Sequence, residues 1–294
     1  MITIIITTSN RLDYLKKTMN DLTKFKDIID KIIIFCFNDL NSENYIKNRF
    51  NKKFKKIITI KSKNKYELEN RIQYVSRYKS DLINESKYVW FMNDKDRILI
   101  KNSNSIKMIL KKNINGLTLN MHSLIEPIIE KKDIGKFILF NLEKGIHRLG
   151  LISSQILDKR LFIKYSKKTK LSAYYLSEII LQIIINEKKW YFYTQKIIGY
   201  THLNRDKNRN KLSIKYLNYR VNQEFIFYKL KLNKILSVSN YLNKEKIIGK
   251  NFFKNVFSWV ILLKSNEKKI NFSKTVDKLN KSLIYQKIIK FFLF

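Results

Sequence analysis

Two aspartates one residue apart, Asp94 and Asp96, are the residues of this chain whose types and spacing best suit chemistry. They directly follow the apolar segment 88–92, which is short and apolar enough to predict a buried strand. Two carboxylates at the exit of a strand suit a hard divalent cation that keeps several waters and bridges phosphate oxygens. A D-x-D pair arises easily by chance, so the inference depends on the position of this pair beside a strand.

Polar side chains also follow the first two apolar segments of the chain. Thr8, Asn10 and Arg11 come after the first segment, and Asp39 comes after the second. Hydroxyls, a helix N-terminus and an arginine suit an anionic diphosphate, whereas a carboxylate accepts hydrogen bonds from a base or a ribose. Since ligands of open α/β sheets bind beyond the carboxyl ends of the strands, these residues belong to the same candidate site.

The elements that must position these residues alternate between strands and helices up to about residue 120. Short, β-branched apolar runs are typical of parallel strands that are covered on both faces. The strands are predicted at 2–8, 31–37, 57–60 and 88–92, and the helices at 12–22, 66–86 and 103–110. This alternation favours βαβ units and therefore an open α/β sheet with mostly parallel strands.

The alternation ends after residue 120. Strands are predicted at 137–142, 149–157 and 190–193, with an amphipathic helix at 173–186. The polar, basic stretch 204–211 is interpreted as a loop, and the remaining chain is rich in lysine with helical periodicity. The predicted organisation is an α/β domain over 1–205, divided into halves at residue 110, and a basic helical region over 206–294.

The net charge of +36 has two explanations, which the sequence leaves open. A selected basic surface would attract nucleic acid or an anionic membrane. AT-rich codons would also enrich lysine, spread over solvated faces. The single cysteine, Cys36, excludes an intramolecular disulfide and a cysteine-based metal cluster. No apolar run approaches the roughly 20 residues of a membrane span, so we expect a cytoplasmic protein. Peripheral attachment to the inner face of the cytoplasmic membrane is compatible with this expectation.

Two blocks of the sequence resemble a known family. The opening ITIIITTSNRLDYLKKTMNDL and the later YVWFMNDKD are similar, in order and separation, to family 2 glycosyltransferases of the polysaccharide-assembly type. The resemblance is good over 1–110, thin over 111–205 and absent beyond. It implies a GT-A (Rossmann-like) fold whose first half, 1–110, binds a nucleotide sugar, while 111–205 binds the acceptor.

The resemblance also implies which residues bind the nucleotide-sugar donor. The candidate donor-binding residues are Thr8, Asn10, Arg11, Asp39 (or its neighbour Asn38), Arg71 (or Arg77) and Asp94. Asp94 and Asp96 would hold a Mg²⁺ or Mn²⁺ ion on the diphosphate. Two departures from the family pattern lie at this metal pair, because Lys95 and Asn93 replace more usual acidic and glycine neighbours.

The acceptor half offers two further candidates. Glu178, in a predicted helix, is placed where inverting relatives have the base that deprotonates the attacking sugar hydroxyl. His202 is placed where some relatives have a third metal ligand. Each has an ordinary alternative, because carboxylates on helices and histidines in loops are commonly solvated surface residues. Arg205 and Arg209 would close over the diphosphate or belong to a solvated basic loop.

The expected activity is metal-assisted transfer of a sugar, in a hexosyltransferase-like reaction, from a nucleotide-diphosphate-sugar to a glycan or lipid-linked glycan. Two alternatives remain. A basic nucleic-acid-binding protein would explain the charge, but no RNP-like or zinc-finger-like pattern accompanies it. A nucleotidyltransferase would also combine a parallel sheet with paired carboxylates, but TTSNRLD lacks the usual glycine-rich loop. The segments 252–264 and 283–294 alternate lysine with apolar residues, as in helices that rest on anionic membranes.

Overall fold

The computed structural model describes residues 1–8, 11–37, 40–62, 68–100, 103–120, 152–169, 175–187 and 189–200. These residues belong to one compact unit formed by 1–131, 148–171 and 175–202. The strand predicted at 137–142, the loop at 204–211 and the helical region 206–294 lie outside the described residues, as do Asn38, Arg205 and Arg209.

The described residues contain nine strands and six α-helices. The strands are β1 (Ile2–Thr8), β2 (Ile29–Phe37), β3 (Ile57–Ser62), β4 (Tyr88–Asn93), β5 (Asp96–Ile98), β6 (Gly116–Asn120), β7 (Gln155–Asp158), β8 (Trp190–Lys196) and β9 (Ile198–Tyr200). The helices are α1 (Leu12–Leu22), α2 (Leu40–Phe50), α3 (Leu68–Gln73), α4 (Asn104–Lys111), α5 (Lys159–Lys168) and α6 (Tyr175–Asn186).

Seven strands form the main sheet, in the order β3-β2-β1-β4-β7-β6-β8. Most neighbours are parallel, and β7 alone runs antiparallel to both of its neighbours. The prediction of an open, mostly parallel α/β sheet is therefore confirmed. The chain runs from β1 outward to β3 and then returns to the other side of β1 as β4. The junction of β1 and β4 is thus a topological switch point, where sheets of this kind bind ligands.

The two strands at this junction are buried along their whole length. In β1 every residue from Ile2 to Thr8 is buried, and in β4 the residues before Asn93 are buried. On one face, Trp90 packs edge-on against Phe25, with 6.3 Å between ring centroids. On the other face, Phe91 packs against Phe162 of α5 at 5.2 Å. The sheet is covered on both faces, which explains why its central strands read as continuous apolar runs.

Several predicted elements differ in the structure. The helix predicted at 66–86 is α3 followed by a π-helical turn at Tyr74–Tyr78 and a 3₁₀ turn at Ser80–Ile83. The strand predicted at 149–157 is a 3₁₀ turn at Ile152–Ser154 that leads into β7. In both places the chain makes tertiary hydrogen bonds, from Arg77 to the carbonyl of Ser166 and from Trp90 to the carbonyl of Ser153, and departs from the regular element that the local apolar pattern predicted. The sequence patterns also missed α2, whose apolar periodicity is weak, the short strands β5, β6 and β9, and the amphipathic helix α5.

Candidate functional site

The aspartate pair occupies the tight turn between β4 and β5. Asp94 follows β4 directly, and Asp96 is the first residue of β5. Both side chains are buried, with exposed fractions of 0% for Asp94 and 3% for Asp96. Because β1 and β4 are parallel neighbours, with Thr7 opposite Asn93, the end of β1 lies beside this turn. The two strand ends selected from the sequence therefore meet at one edge of the sheet.

Two arginines share the surroundings of Asp94. The Nε atom of Arg11, which immediately precedes α1, lies 2.9 Å from Oδ2 of Asp94. Arg71 comes from α3 and is also buried; its guanidinium interacts electrostatically with Arg11, Asp94 and Cys36. Burial lowers the pKa of Arg71, and the like charge of Arg11 lowers it further. A buried cation beside a second cation is a costly arrangement that an anionic ligand would relieve.

Buried polar atoms without hydrogen bonds are concentrated at this site. Within the described residues six buried side-chain atoms have no partner of hydrogen-bond geometry, and five of them lie here: Thr8 Oγ1, Arg11 Nε, Arg71 Nε and both carboxylate oxygens of Asp94. Folded proteins satisfy nearly all of their buried polar groups. These five exceptions come from four neighbouring segments, namely the end of β1, the residue before α1, helix α3 and the turn after β4, and they indicate a site suited to a polar ligand.

Burial and the nearby cations have opposite effects on the pKa of Asp94. Burial raises the pKa of Asp94 to about 6, against the lowering influence of the Arg11 charge, the Thr8 hydroxyl and the Lys95 charge. Burial also raises the pKa of Asp96. Carboxylates that are desolvated without full compensation are typical of functional sites, although buried ion-pair networks perturb pKa values too.

Asp96 is fixed by a residue that the sequence patterns did not select. Its Oδ2 accepts hydrogen bonds from the hydroxyl of Ser153 and, at 3.2 Å, from the side-chain amide of Asn93. The Ser153 hydroxyl in turn accepts a hydrogen bond from the backbone N–H of Asn93 at 2.9 Å. The backbone carbonyl of Ser153 accepts one from Trp90 Nε1 at 2.7 Å. Ser153 thus connects the 3₁₀ turn before β7 to the aspartate turn. No local motif marks it, because it is brought there by the antiparallel pairing of β7 with β4.

The side chain of Lys95 extends towards α1. Its ammonium lies over the ring of Tyr14 on α1, 4.7 Å from the ring centroid. The lysine charge is nevertheless close enough to lower the pKa values of both Asp94 and Asp96. Lys95 therefore adds a third cation to the rim of the site, next to Arg11 and Arg71.

Other sequence candidates lie elsewhere or outside the described residues. Arg77 binds the end of α5, donating to the carbonyls of Ser166 at 2.6 Å and Thr169 at 2.5 Å, so Arg71 is the arginine that reaches the site. Asn10, Asp39 and His202 lie outside the described residues, although Tyr200, two residues before His202, pairs with Asp96 across β5 and β9.

Glu178 differs from the solvated surface carboxylate that was one of its two interpretations. It lies in α6, is only 2% exposed and is engaged in a polar or electrostatic interaction. The solvated interpretation is therefore wrong, because the first turns of α6 are buried on nearly every side. Its role as a catalytic base stays a prediction.

The aspartate pair fits a divalent cation that is shared with a phosphate ligand. Within the described residues, no group of three or more His, Cys, Asp and Glu side chains is arranged to hold a metal by protein ligands alone. The hydrogen-bond-free oxygens of Asp94, with the carboxylate of Asp96 beside them, supply hard oxygen ligands. Mg²⁺ is commonly held by one or two carboxylates, with phosphates and waters completing its coordination, so the residues present suit this kind of ion.

Comparisons with known proteins establish the fold. No protein-family model matches the chain, and no curated protein matches it. The crystal structure of S. aureus TarS 1-349, a GT-A-type glycosyltransferase, aligns with a TM-score of 0.61 at 12% identity, over 95% of this chain and 78% of that one. A longer TarS structure aligns with a TM-score of 0.56 at 13% identity, over 85% of this chain and 42% of that one.

These similarities confirm the prediction of a GT-A-like fold. The chain spans less than half of the longer TarS chain. A 4-diphosphocytidyl-2C-methyl-D-erythritol synthase from Anaerococcus prevotii aligns with a TM-score of only 0.42, which carries no argument for a nucleotidyltransferase. Among the described residues, no helix is both long and apolar enough to cross a membrane.

Proposed function

We propose that this protein is a glycosyltransferase that moves a sugar, in a hexosyltransferase-like reaction, from a nucleotide-diphosphate-sugar to a glycan or lipid-linked glycan acceptor. One observation carries the proposal: the buried polar atoms of Thr8, Arg11, Arg71 and Asp94, which lack hydrogen bonds, converge at the switch point of a GT-A-like sheet. This is the position at which open α/β sheets bind ligands, and the chemistry of the cluster suits a diphosphate.

The charges of the site support a donor diphosphate. Arg11 and Arg71 present two guanidinium groups, which bind phosphate oxygens through paired N–H donors. Lys95 adds a compact ammonium at the rim. As a phosphate group binds, its negative charge relieves the unfavourable proximity of the buried Arg71 guanidinium to that of Arg11. The same contacts would stabilise the negative charge that develops on the nucleoside diphosphate as the bond between the sugar and its phosphate oxygen breaks.

Asp94 and Asp96 are the residues that would hold Mg²⁺ or Mn²⁺. When bound, such an ion supplies electrostatic stabilisation of the leaving diphosphate. Ser153 and Asn93 fix one oxygen of Asp96, so that carboxylate is oriented before the ligand arrives. His202 is proposed as a further ligand, because β9, which pairs with Asp96 through Tyr200, leads towards it along the chain. Asn10 and Asp39 are proposed to contact the nucleotide from the loops that follow β1 and β2.

The acceptor side rests on the sequence resemblance. Glu178 is proposed as the general base that deprotonates the acceptor hydroxyl. The basic segments 252–264 and 283–294 are proposed to bind an anionic membrane surface where lipid-linked acceptors lie, which would make the protein peripheral on the inner face of the cytoplasmic membrane.

A donor screen tests the proposal. Purified protein is incubated with a panel of UDP-, GDP-, CDP- and dTDP-sugars, with MnCl₂, MgCl₂ or EDTA, and thermal stabilisation and released nucleoside diphosphate are measured. We expect one nucleotide class to stabilise the protein and to be hydrolysed or transferred only when the divalent cation is present. Asp96→Asn should abolish the metal-dependent stabilisation and the metal-dependent release of nucleoside diphosphate. Asp13→Asn, which changes an exposed carboxylate on α1, should leave both unchanged.

Two results would overturn the proposal. One is the absence of binding and turnover across the whole panel. The other is tight RNA or DNA binding that weakens steeply with salt and that nucleotide sugars leave unchanged, which would favour the nucleic-acid alternative.

A further inference from the structure

One face of α1 contacts almost the whole aspartate turn, residues 94–98. Positions 11, 14, 18 and 21 recur every three or four residues, which places them on one side of a helix and its N-terminal extension. Arg11 contacts the Asp94 carboxylate, and Tyr14 lies under the Lys95 ammonium. Thr18 contacts the carbonyls of Asp94 and Asp96. Asp21 contacts the Arg97 side chain and the Ile98 amide. Successive positions on this face of α1 therefore contact successive residues of the turn.

Thr18 makes the central contact of this face. Its hydroxyl oxygen lies 2.7 Å from the carbonyl oxygen of Asp94 and 2.8 Å from that of Asp96. Thr18 is fully buried, so no water competes for either carbonyl from its side. A hydroxyl has a single proton, which is shared between the two acceptors. The carbonyls of both members of the pair are thus held by one donor atom.

This arrangement restrains the backbone on both sides of Lys95. The orientation of each carboxylate depends on the backbone that carries it, and rotating either peptide plane would remove a carbonyl from the Thr18 hydroxyl. A buried carbonyl that loses its hydrogen-bond partner is left desolvated and unpaired, which is unfavourable. The hydroxyl therefore opposes the small rotations that would misalign two metal ligands.

We propose that Thr18 is a positioning residue that sets the relative orientation of the Asp94 and Asp96 carboxylates for a divalent cation and its phosphate ligand. The proposal rests on the proposed function, because it assigns Thr18 a role at the same site. It extends that function to a buried helix residue that touches neither metal nor donor. It also explains why a threonine lies among the apolar residues of the buried face of α1.

Asp21 provides a matched control on the same helix face. Its carboxylate accepts two hydrogen bonds from Arg97, at 2.5 and 3.0 Å, and one from the backbone N–H of Ile98, at 3.1 Å. These contacts anchor the end of the turn without touching the carbonyls of Asp94 or Asp96. Asp21→Asn should therefore weaken the packing of α1 on the turn while leaving the aspartate pair tied to Thr18.

The test compares Thr18→Val, Thr18→Ser and Asp21→Asn in the full chain. Affinity for Mn²⁺ is measured by electron paramagnetic resonance with inorganic pyrophosphate present, a probe that requires no knowledge of the donor. Melting temperatures are measured in parallel. We expect Thr18→Val to weaken Mn²⁺ binding about tenfold or more, as removal of an outer-shell partner does. Thr18→Ser should stay within about threefold of the wild type, because the hydroxyl that binds the carbonyls is retained. Asp21→Asn should lower the melting temperature but keep the Mn²⁺ affinity.

The outcomes separate this inference from the proposed function. If the wild type binds Mn²⁺–pyrophosphate and Thr18→Val binds it equally well, the positioning role is wrong and the proposed function is untouched. If the wild type binds none, the metal site of the proposed function fails and the inference fails with it. Equal losses in Thr18→Val and Asp21→Asn would show a purely structural role. Should Thr18→Val not fold, Thr18→Ala replaces it, because the smaller side chain leaves room for a water at the two carbonyls.

Discussion

The guanidinium of Arg11 lies 2.9 Å from the buried carboxylate of Asp94, so the cation that follows the first strand contacts the anion that follows the fourth. The two residues are far apart in sequence and meet because their strands are parallel neighbours. A metal ion bound to the same oxygen would repel the Arg11 guanidinium and compete with it for the charge of the carboxylate. A donor diphosphate would offer the guanidinium an alternative partner, which makes metal binding and donor binding interdependent.

The first prediction concerns that interdependence. Arg11→Gln should bind Mn²⁺ alone several-fold more tightly than the wild type, because the ion no longer competes with a guanidinium at Asp94. The same variant should bind the donor more weakly, and the donor should enhance its Mn²⁺ affinity less than in the wild type. Titration calorimetry of Mn²⁺ with and without nucleoside diphosphate measures both effects. Since such coupling is reciprocal, equal coupling in the two proteins would contradict the exchange of partners.

The second prediction concerns stability and pH. Burial raises the pKa of Asp94 from an ordinary value of 3.8 to about 6, so the folded protein holds this proton more tightly than the unfolded chain does. The contribution of Asp94 to the free energy of unfolding is therefore greatest at low pH and is lost as pH rises from about 4 to about 6. At about 1.4 kcal/mol per pKa unit, the loss is on the order of 3 kcal/mol.

Asp94→Asn removes this titration. The free energy of unfolding of the variant minus that of the wild type should rise between pH 4 and pH 6 and level off above pH 7, as urea denaturation at each pH would show. Asp13→Asn, at an exposed carboxylate, is the control and should give a flat difference across the same range. A difference that falls with rising pH for Asp94→Asn would mean that the carboxylate is stabilised in its charged form.

The third prediction concerns Lys95. Its charge acts on both aspartates, and its ammonium lies over the ring of Tyr14. Lys95→Met keeps an unbranched chain on the ring but removes the charge. We expect Mn²⁺ alone to bind about three- to tenfold more tightly and the donor diphosphate to bind more weakly by a similar factor, the scale of one nearby charge at a partly solvated site.

These opposite changes distinguish Lys95 from an ordinary surface lysine. Lys112→Met is the matched control, because the Lys112 ammonium also lies over a tyrosine ring, that of Tyr191, at 5.8 Å. It should leave both affinities unchanged. If Lys95→Met weakened Mn²⁺ binding as well, the lysine would act by holding the turn in place, and its charge would not be the cause.

The fourth prediction separates two arginines that precede β4, Arg71 of α3 and Arg77 of the π-helical turn. Arg71→Met should raise the dissociation constant of the donor at least tenfold with little loss of stability, because burial already disfavours the charged form of Arg71. Arg77→Met should lower the free energy of unfolding by about 2–3 kcal/mol, since it leaves the carbonyls at the end of α5 without their charged donor. Donor binding and thermal denaturation of both variants test the assignment, and a reversed pattern would contradict it.

Much of the site was accessible from the sequence because strand signals are local. The apolar runs that form β1, β2 and β4 could each be recognised over five to seven residues. The polar residues at their ends could be selected without knowledge of the sheet. The family resemblance then predicted a nucleotide-sugar site there. Choosing between Arg71 and Arg77 was beyond the sequence, because both lie in one segment whose helical path is interrupted by a π-helical turn.

The sequence by itself determined the alternation of buried strands and helices, and the place of Asp94 and Asp96 at a strand exit. Both depend on hydrophobic periodicity and on the order of residues along the chain, which folding does not change. The tertiary structure decided which partners surround the pair. Ser153 is 57 residues from Asp96, and Thr18 is 76 residues from Asp94. Such partners are selected by strand pairing and by helix packing across the sheet, which bring together side chains that no local pattern connects.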